Sequence, residues 1–131
     1  MPNDDLEFNV RRPQSINGAA LSNYVAVIDL HGELSAFAGE ALDKAFVQAR
    51  QQNSSIILLN FGGVSYINST GIALIIGLVM QAIKAGLRLM ACGLTHHYEK
   101  IFQIARLSEY ISMFPDEASA LSGVQKNGFQ I

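Results

Sequence analysis

The stretch that decides the fold is Ile56-Ile57-Leu58-Leu59-Asn60-Phe61-Gly62-Gly63-Val64-Ser65-Tyr66-Ile67-Asn68-Ser69-Thr70-Gly71, continued by Ile72-Ala73-Leu74-Ile75-Ile76-Gly77-Leu78-Val79-Met80. No charged residue occurs between Arg50 and Lys84. Such a run seeks burial, so the polar step Asn68-Ser69-Thr70-Gly71 marks where the chain surfaces. Ser55 to Phe61 is short, continuous and β-branched at its start, which suits a strand buried on both faces. Asn60 to Ser65 reads as turn-rich, and Gly62-Gly63 as a plain turn. The spacing predicts a helix over Thr70–Ala85, apolar nearly all round and hence the most buried helix of the domain. Gly86 stops it. Leu87 to Cys92 is a further strand, and strand, helix and strand make a βαβ unit with a right-handed crossover.

Outward from this centre, Leu6 to Arg12 alternates as a half-buried strand, and Tyr24 to Leu34 reads as another. Pro13 to Asn23 is a Ser/Asn/Gly-rich loop. Phe37 to Gln52 has helical spacing at Phe37, Ala41, Leu42, Ala45, Phe46 and Ala49, with Ser35 as its predicted N-cap. Thr95 to Ala105 is a helix with a stripe of Tyr98, Ile101, Phe102 and Ala105. Tyr110 to Met113 is a short strand and Asp116 to Leu121 a helix, while 123–131 reads as a loose tail. The order β-β-α-β-α-β-α-β-α implies an α/β domain with a mixed four- to five-stranded sheet and about four packed helices.

The chain has 131 residues, 50% hydrophobic and 15% charged, with net charge -2. These values fit one domain, core about 6–121, with one hydrophobic core. They disfavour intrinsic disorder and nucleic acid as a partner; Arg11-Arg12 is a lone basic pair. Cys92 is the only cysteine, so no internal disulfide forms and a reduced, cytoplasmic setting fits best. The polar, acidic N-terminus is unlike a signal peptide, and Ile72 to Met80 is about half the roughly 20 residues needed to span a bilayer.

Ser69 and Thr70 sit where the first backbone N–H groups of a helix lack intrahelical partners. The bland reading is a helix cap. The other is a phosphate carrier, because a helix N-terminus favours negative charge. Cys92 reads as a small buried hydrophobe. His96-His97 reads as a solvated face, His31 as a strand residue without chemistry, and Asp4-Asp5 as a frayed end. From Gln51 to Ile83 the chain has no charge and no histidine, so no acid–base pair is available there. A P-loop lacks its Gly-Lys-Ser/Thr, and the strand ending Asn60-Phe61 lacks the aspartate of a receiver domain. No cofactor and no metal are expected.

Three segments together resemble STAS domains, specifically bacterial anti-sigma-factor antagonists, over roughly Leu6 to Leu121. They are Leu30-His31-Gly32-Glu33-Leu34, then Ile57 to Phe61 with Val64-Ser65-Tyr66-Ile67-Asn68-Ser69-Thr70-Gly71, then Met90-Ala91-Cys92-Gly93-Leu94 leading to Tyr98–Phe102 and Ala105-Arg106-Leu107. The resemblance implies phosphorylation of Ser69 by a partner kinase that is itself the anti-sigma factor, with a PP2C-type phosphatase resetting the switch. It implies a non-enzymatic, cytoplasmic regulator of transcription, monomeric or weakly homodimeric, without membrane insertion. Partner contact is expected from Gly32 to Phe37 and Val64 to Ile72, with Asn68, Thr70, Gly71, Tyr66, Gly32, Ser35 and Phe37 around Ser69. Phe37 and Tyr66 are read as exposed anchors or, equally, as core. Two family acids are replaced: Asn68 stands before the serine, and Ser35 follows Gly-Glu-Leu. The alternative within the resemblance is a non-switching scaffold, or an accessory subunit of a stress-sensing complex or a lipid-transport ATPase.

Overall fold

The computed structural model describes residues 5–13 and 24–126. Its elements are β1 (Glu7–Arg11), β2 (Val25–Leu34), α1 (Gly39–Arg50), β3 (Ile56–Ile67), α2 (Ser69–Ala85), β4 (Arg88–Cys92), α3 (His96–Ile104), β5 (Ile111–Phe114) and α4 (Glu117–Lys126), with a short 3-10 turn at Leu107–Glu109. The predicted element order is the observed one. One mixed five-stranded sheet runs β1-β2-β3-β4-β5; β1 is antiparallel to β2 and the other pairs are parallel. The predicted Ser/Asn/Gly-rich loop lies, after Pro13, outside the described residues.

Alternation along the strands sorts the core into two layers. Ala26, Ile28, Leu30, Ile57, Leu59, Phe61, Leu89 and Ala91 face α1, α2 and α3. There Phe61 meets Phe102 edge to face, ring centroids 5.7 Å apart. Val25, Val27, Ile56, Leu58, Met90 and Cys92 face Ala120, Leu121 and Val124 of α4. Burial on both faces explains the continuous apolar character of Ile56–Leu59.

Four expectations are corrected. β3 does not end at Phe61 but runs on to Ile67, and Gly62-Gly63 lies inside it. Its register against β2 shifts between Asp29 and His31 and again between Gly32 and Glu33, each time adding a residue to β3. Glycine is needed there because a Cβ on Gly63 would lie 2.1 Å from His31 Nδ1 and 2.8 Å from the Leu30 carbonyl oxygen. α1 starts at Gly39, not Phe37, with Ala38 at its N-cap and no side-chain cap. Ser35 instead accepts the Ala38 N–H on its carbonyl at 3.0 Å, so Ser35 to Ala38 is a turn that carries Phe37 outward. α4 continues to Lys126, past the predicted tail boundary, because Val124 completes its buried face; 127–131 lie outside the described residues.

The fourth correction concerns α2. Gly71, Ile75, Leu78, Val79 and Ala82 are buried, yet Ile76, Met80 and Ile83 are 40%, 57% and 58% exposed. α2 packs one face on the sheet and leaves an apolar face open, so an all-apolar helix is not an all-buried one. Gly86 closes it in the left-handed region, φ 70°, as its position suggested.

Candidate functional site

The site is the junction of β3 and α2. The Asn68 side chain is the N-cap of α2, its Oδ1 accepting the Gly71 N–H at 2.9 Å. The capping role considered for Ser69 and Thr70 therefore belongs to Asn68. Both hydroxyl residues occupy the first turn and are exposed. No acidic residue lies in that turn.

The helix start is locked to the end of β2. The Asn68 N–H donates to the Leu34 carbonyl at 3.2 Å. A Cβ on Gly71 would stand 2.1 Å from the same carbonyl oxygen, so only glycine lets α2 approach this closely. From the other side, the Ile67 N–H donates to the Tyr98 hydroxyl of α3 at 3.0 Å. Three elements thus fix the turn that presents Ser69.

The register Gly32↔Val64, Glu33↔Tyr66 and Leu34↔Ile67 places the two predicted contact segments side by side. The Ser65 hydroxyl donates to the Gly32 carbonyl at 3.3 Å. Ser35 follows directly on Leu34, whose carbonyl accepts the Asn68 N–H, so Ser35 and Asn68 share this junction. Phe37 is 84% and Tyr66 48% exposed, which decides for both against core burial. A small pocket beside the junction is lined by Phe61, Gly62, Val64, Ile67, Gly93, Leu94, Thr95 and Tyr98.

The face of α2 that carries Ser69 has a pattern of its own. At about 100° per residue, Ser69, Ala73, Ile76, Met80 and Ile83 fall within about 80° of arc. Thr70 lies about 100° from Ser69, off that stripe. Ser69 therefore heads a line of exposed apolar side chains. Sequence reading missed this seam because the helix is apolar on both faces; the 4-3-4-3 spacing was the signal available.

Elsewhere, Cys92 is buried, and burial, with Glu117, Asp116 and Asp29 nearby, pushes its thiol up to about 11. This is an inert thiol. His96 and His97 are exposed at the start of α3, with His96 Nδ1 3.6 Å from Glu99. His31 is exposed and packs over Gly63. Among the described residues no group of three or more His, Cys, Asp or Glu could hold a metal ion, and no helix is long and apolar enough to cross a membrane. Arg11, read as half of a lone basic pair, instead bridges Asp29 at 2.7 Å and Glu117, and Asn60 donates to Asp29 at 2.8 Å.

A family model described as the STAS domain matches residues 17–120. An anti-sigma-B factor antagonist of Staphylococcus epidermidis is 26% identical over 82 residues, 63% of this chain and 76% of that protein. Among solved structures, the anti-sigma factor antagonist SpoIIAA in its unphosphorylated form superposes with TM-score 0.63 at 20% identity, covering 93% of this chain and 99% of that one. The phosphorylated form of the Bacillus cell-fate determinant SpoIIAA gives TM-score 0.61 at 23% identity, covering 90% and 99%. These likenesses are to the same fold.

Proposed function

The chain belongs to the STAS domain family, and from that premise we propose that it is an anti-sigma-factor antagonist whose affinity for its partner is set by phosphorylation of Ser69. The observation that carries this reading is the exposed Ser69 hydroxyl at the mouth of α2, in line with the exposed stripe Ala73, Ile76, Met80 and Ile83. The name of the Staphylococcus epidermidis relative supports the same class. The partner is a cytoplasmic anti-sigma factor with serine kinase activity, and a PP2C-type phosphatase reverses the mark. The protein itself contributes a surface and a hydroxyl, not catalysis.

The switch works by local charge. A phosphoserine adds about 1.5 to 2 negative charges. One like-charge pair at 4 Å costs roughly 4 kcal/mol at an effective dielectric of 20. That is close to a thousandfold in affinity. Gly71 against Leu34, Asn68 against Gly71 and Tyr98 against Ile67 hold the helix start, so the domain need not change shape to release its partner. Phe37 and Tyr66 supply exposed aromatic contact beside the hydroxyl.

Peptide mass spectrometry of the protein isolated from its own cells, with and without stress, tests the proposal. Phosphate on Ser69 that varies with condition is expected. With the co-purifying kinase in hand, Ser69→Ala binds as the unmodified chain does, and Ser69→Glu binds more weakly. Absence of phosphate from Ser69 under every condition, or equal affinities of the two variants, overturns the switch. The non-switching scaffold or accessory subunit, which the uncharged Asn68 and Ser35 would suit, then takes its place.

A further inference from the structure

Resting on the partner reading of the preceding section, we propose that the groove between the C-terminal ends of α1 and α2 anchors an acidic side chain, aspartate or glutamate, of the protein partner that covers the open stripe of α2.

The groove is lined by Phe46 and Arg50 of α1 and by Gln81, Lys84 and Ala85 of α2. Two cations from different helices thus converge on one depression, and no acidic residue lines it. The Arg50 guanidinium lies over the Phe46 ring, 5.9 Å from its centroid, which holds the long side chain in place. Arg50 and Lys84 are exposed, and neither has an ion-pair or hydrogen-bond partner among the described residues. Lys44 and Arg106, by contrast, pair with Glu40 at 3.1 Å and Glu109 at 4.0 Å. Each groove cation also complements the negative end of its own helix. That role needs no shared groove.

The surroundings select a carboxylate carried on an apolar protein segment. Exposed Val47 adjoins Arg50, and exposed Met80 stands one turn before Lys84. The cations are therefore rimmed by apolar side chains continuous with the α2 stripe. Lys84 lies about 22 Å along the helix from Ser69 and about 60° round it, so a partner segment laid on the stripe reaches the groove at its far end. A guanidinium offers paired N–H donors that match the two oxygens of a carboxylate. The last-turn carbonyls of α1 and α2 put partial negative charge nearby, which penalises a doubly charged phosphate more than a singly charged carboxylate. The two ends of α2 then divide the work: charge at Ser69 sets affinity, and the groove fixes the register of the partner.

The test uses the kinase that co-purifies with the chain, purified and measured at low and high salt. A carbodiimide, which joins an amine to a touching carboxylate with loss of water, couples Lys84 to an Asp or Glu of the kinase. Arg50→Gln and Lys84→Gln each weaken kinase binding about tenfold, as loss of a close charge pair does. Both also flatten its salt dependence. Ser122→Glu on α4, across the sheet, changes net charge equally and leaves binding as it is. All three keep the far-UV circular dichroism of the parent, since the positions are exposed. Binding that responds to Arg50 and Lys84 but is equal for Ser69→Ala and Ser69→Glu keeps the anchor and removes the switch. A kinase that separates the two Ser69 variants yet binds Arg50→Gln and Lys84→Gln like the parent overturns the anchor and keeps the switch. Cross-links that run only through Lys44 or Lys100 also overturn the anchor. So does sedimentation of the parent with phosphatidylcholine vesicles containing phosphatidylserine that both groove variants lose, which assigns the groove to lipid headgroups.

Discussion

The Asn68 carboxamide accepts the Gly71 N–H at 2.9 Å, while the hydroxyl of its neighbour Ser69 is left to solvent. Capping and signalling are therefore separable by substitution. Asn68→Ala loses the cap and is expected to cost about 0.5–2 kcal/mol. Ser69→Ala removes no cap and stays within about 0.5 kcal/mol, the usual range for an exposed position. Urea denaturation of the two variants checks this; equal losses would mean that Ser69 shares the cap. The sequence placed Ser69, Thr70 and Gly71 at a helix mouth from their flanks alone, and they lie there. It did not place the cap on Asn68 alone. Which of several adjacent polar side chains faces the free N–H groups depends on the angle at which strand enters helix, and the Leu34 carbonyl fixes that angle.

At the scale of elements, the start of α2 is held by β2 and α3 together. The Tyr98 hydroxyl accepts the buried Ile67 N–H at 3.0 Å, a donor that β3 leaves over where the ladder ends. Tyr98→Phe keeps the ring and removes this acceptor. It is expected to destabilise by about 1–3 kcal/mol, the cost of an unsatisfied buried group. Amide exchange should quicken at Ile67 and in the first turn of α2 more than in β4; a uniform change would count against a local role. Sequence pattern assigned Tyr98 to the apolar stripe of α3, which its ring does join. Periodicity reports the face a residue occupies, not the partner of its polar tip. The same limit explains α2: its all-round apolarity hid an open face, and only packing against a finite sheet shows which side is left over.

Across the whole molecule, Arg11 of β1 ties Asp29 of β2 to Glu117 of α4, and Asn60 of β3 donates to the same Asp29. Burial pushes the Asp29 carboxyl up, but hydrogen bonds from Arg11, Asn60 and Asn9 outweigh it and hold the carboxyl below its ordinary 3.8. The folded state thus binds the Asp29 proton less tightly than the unfolded chain. The stability this contributes is present above the ordinary value and is lost as pH falls through the lower, folded one. Asp29→Asn is expected to cost about 1.5–3 kcal/mol at neutral pH, the range for hydrogen bonds to charged groups. It should also flatten the loss of stability below about pH 4. Parallel pH profiles for parent and variant would refute the assignment. By itself the sequence determined the element order, the α/β class, the central βαβ unit and the position of Ser69 at a helix mouth. Local propensity and hydrophobic period act within one element and suffice for that. Only the tertiary structure decided that Gly62-Gly63 lies inside a bulged strand, that Phe37 and Tyr66 are exposed, that Arg11 closes an ionic network and that α2 has an open seam. Each depends on contacts between residues far apart in the chain, for which a single sequence carries no local signal.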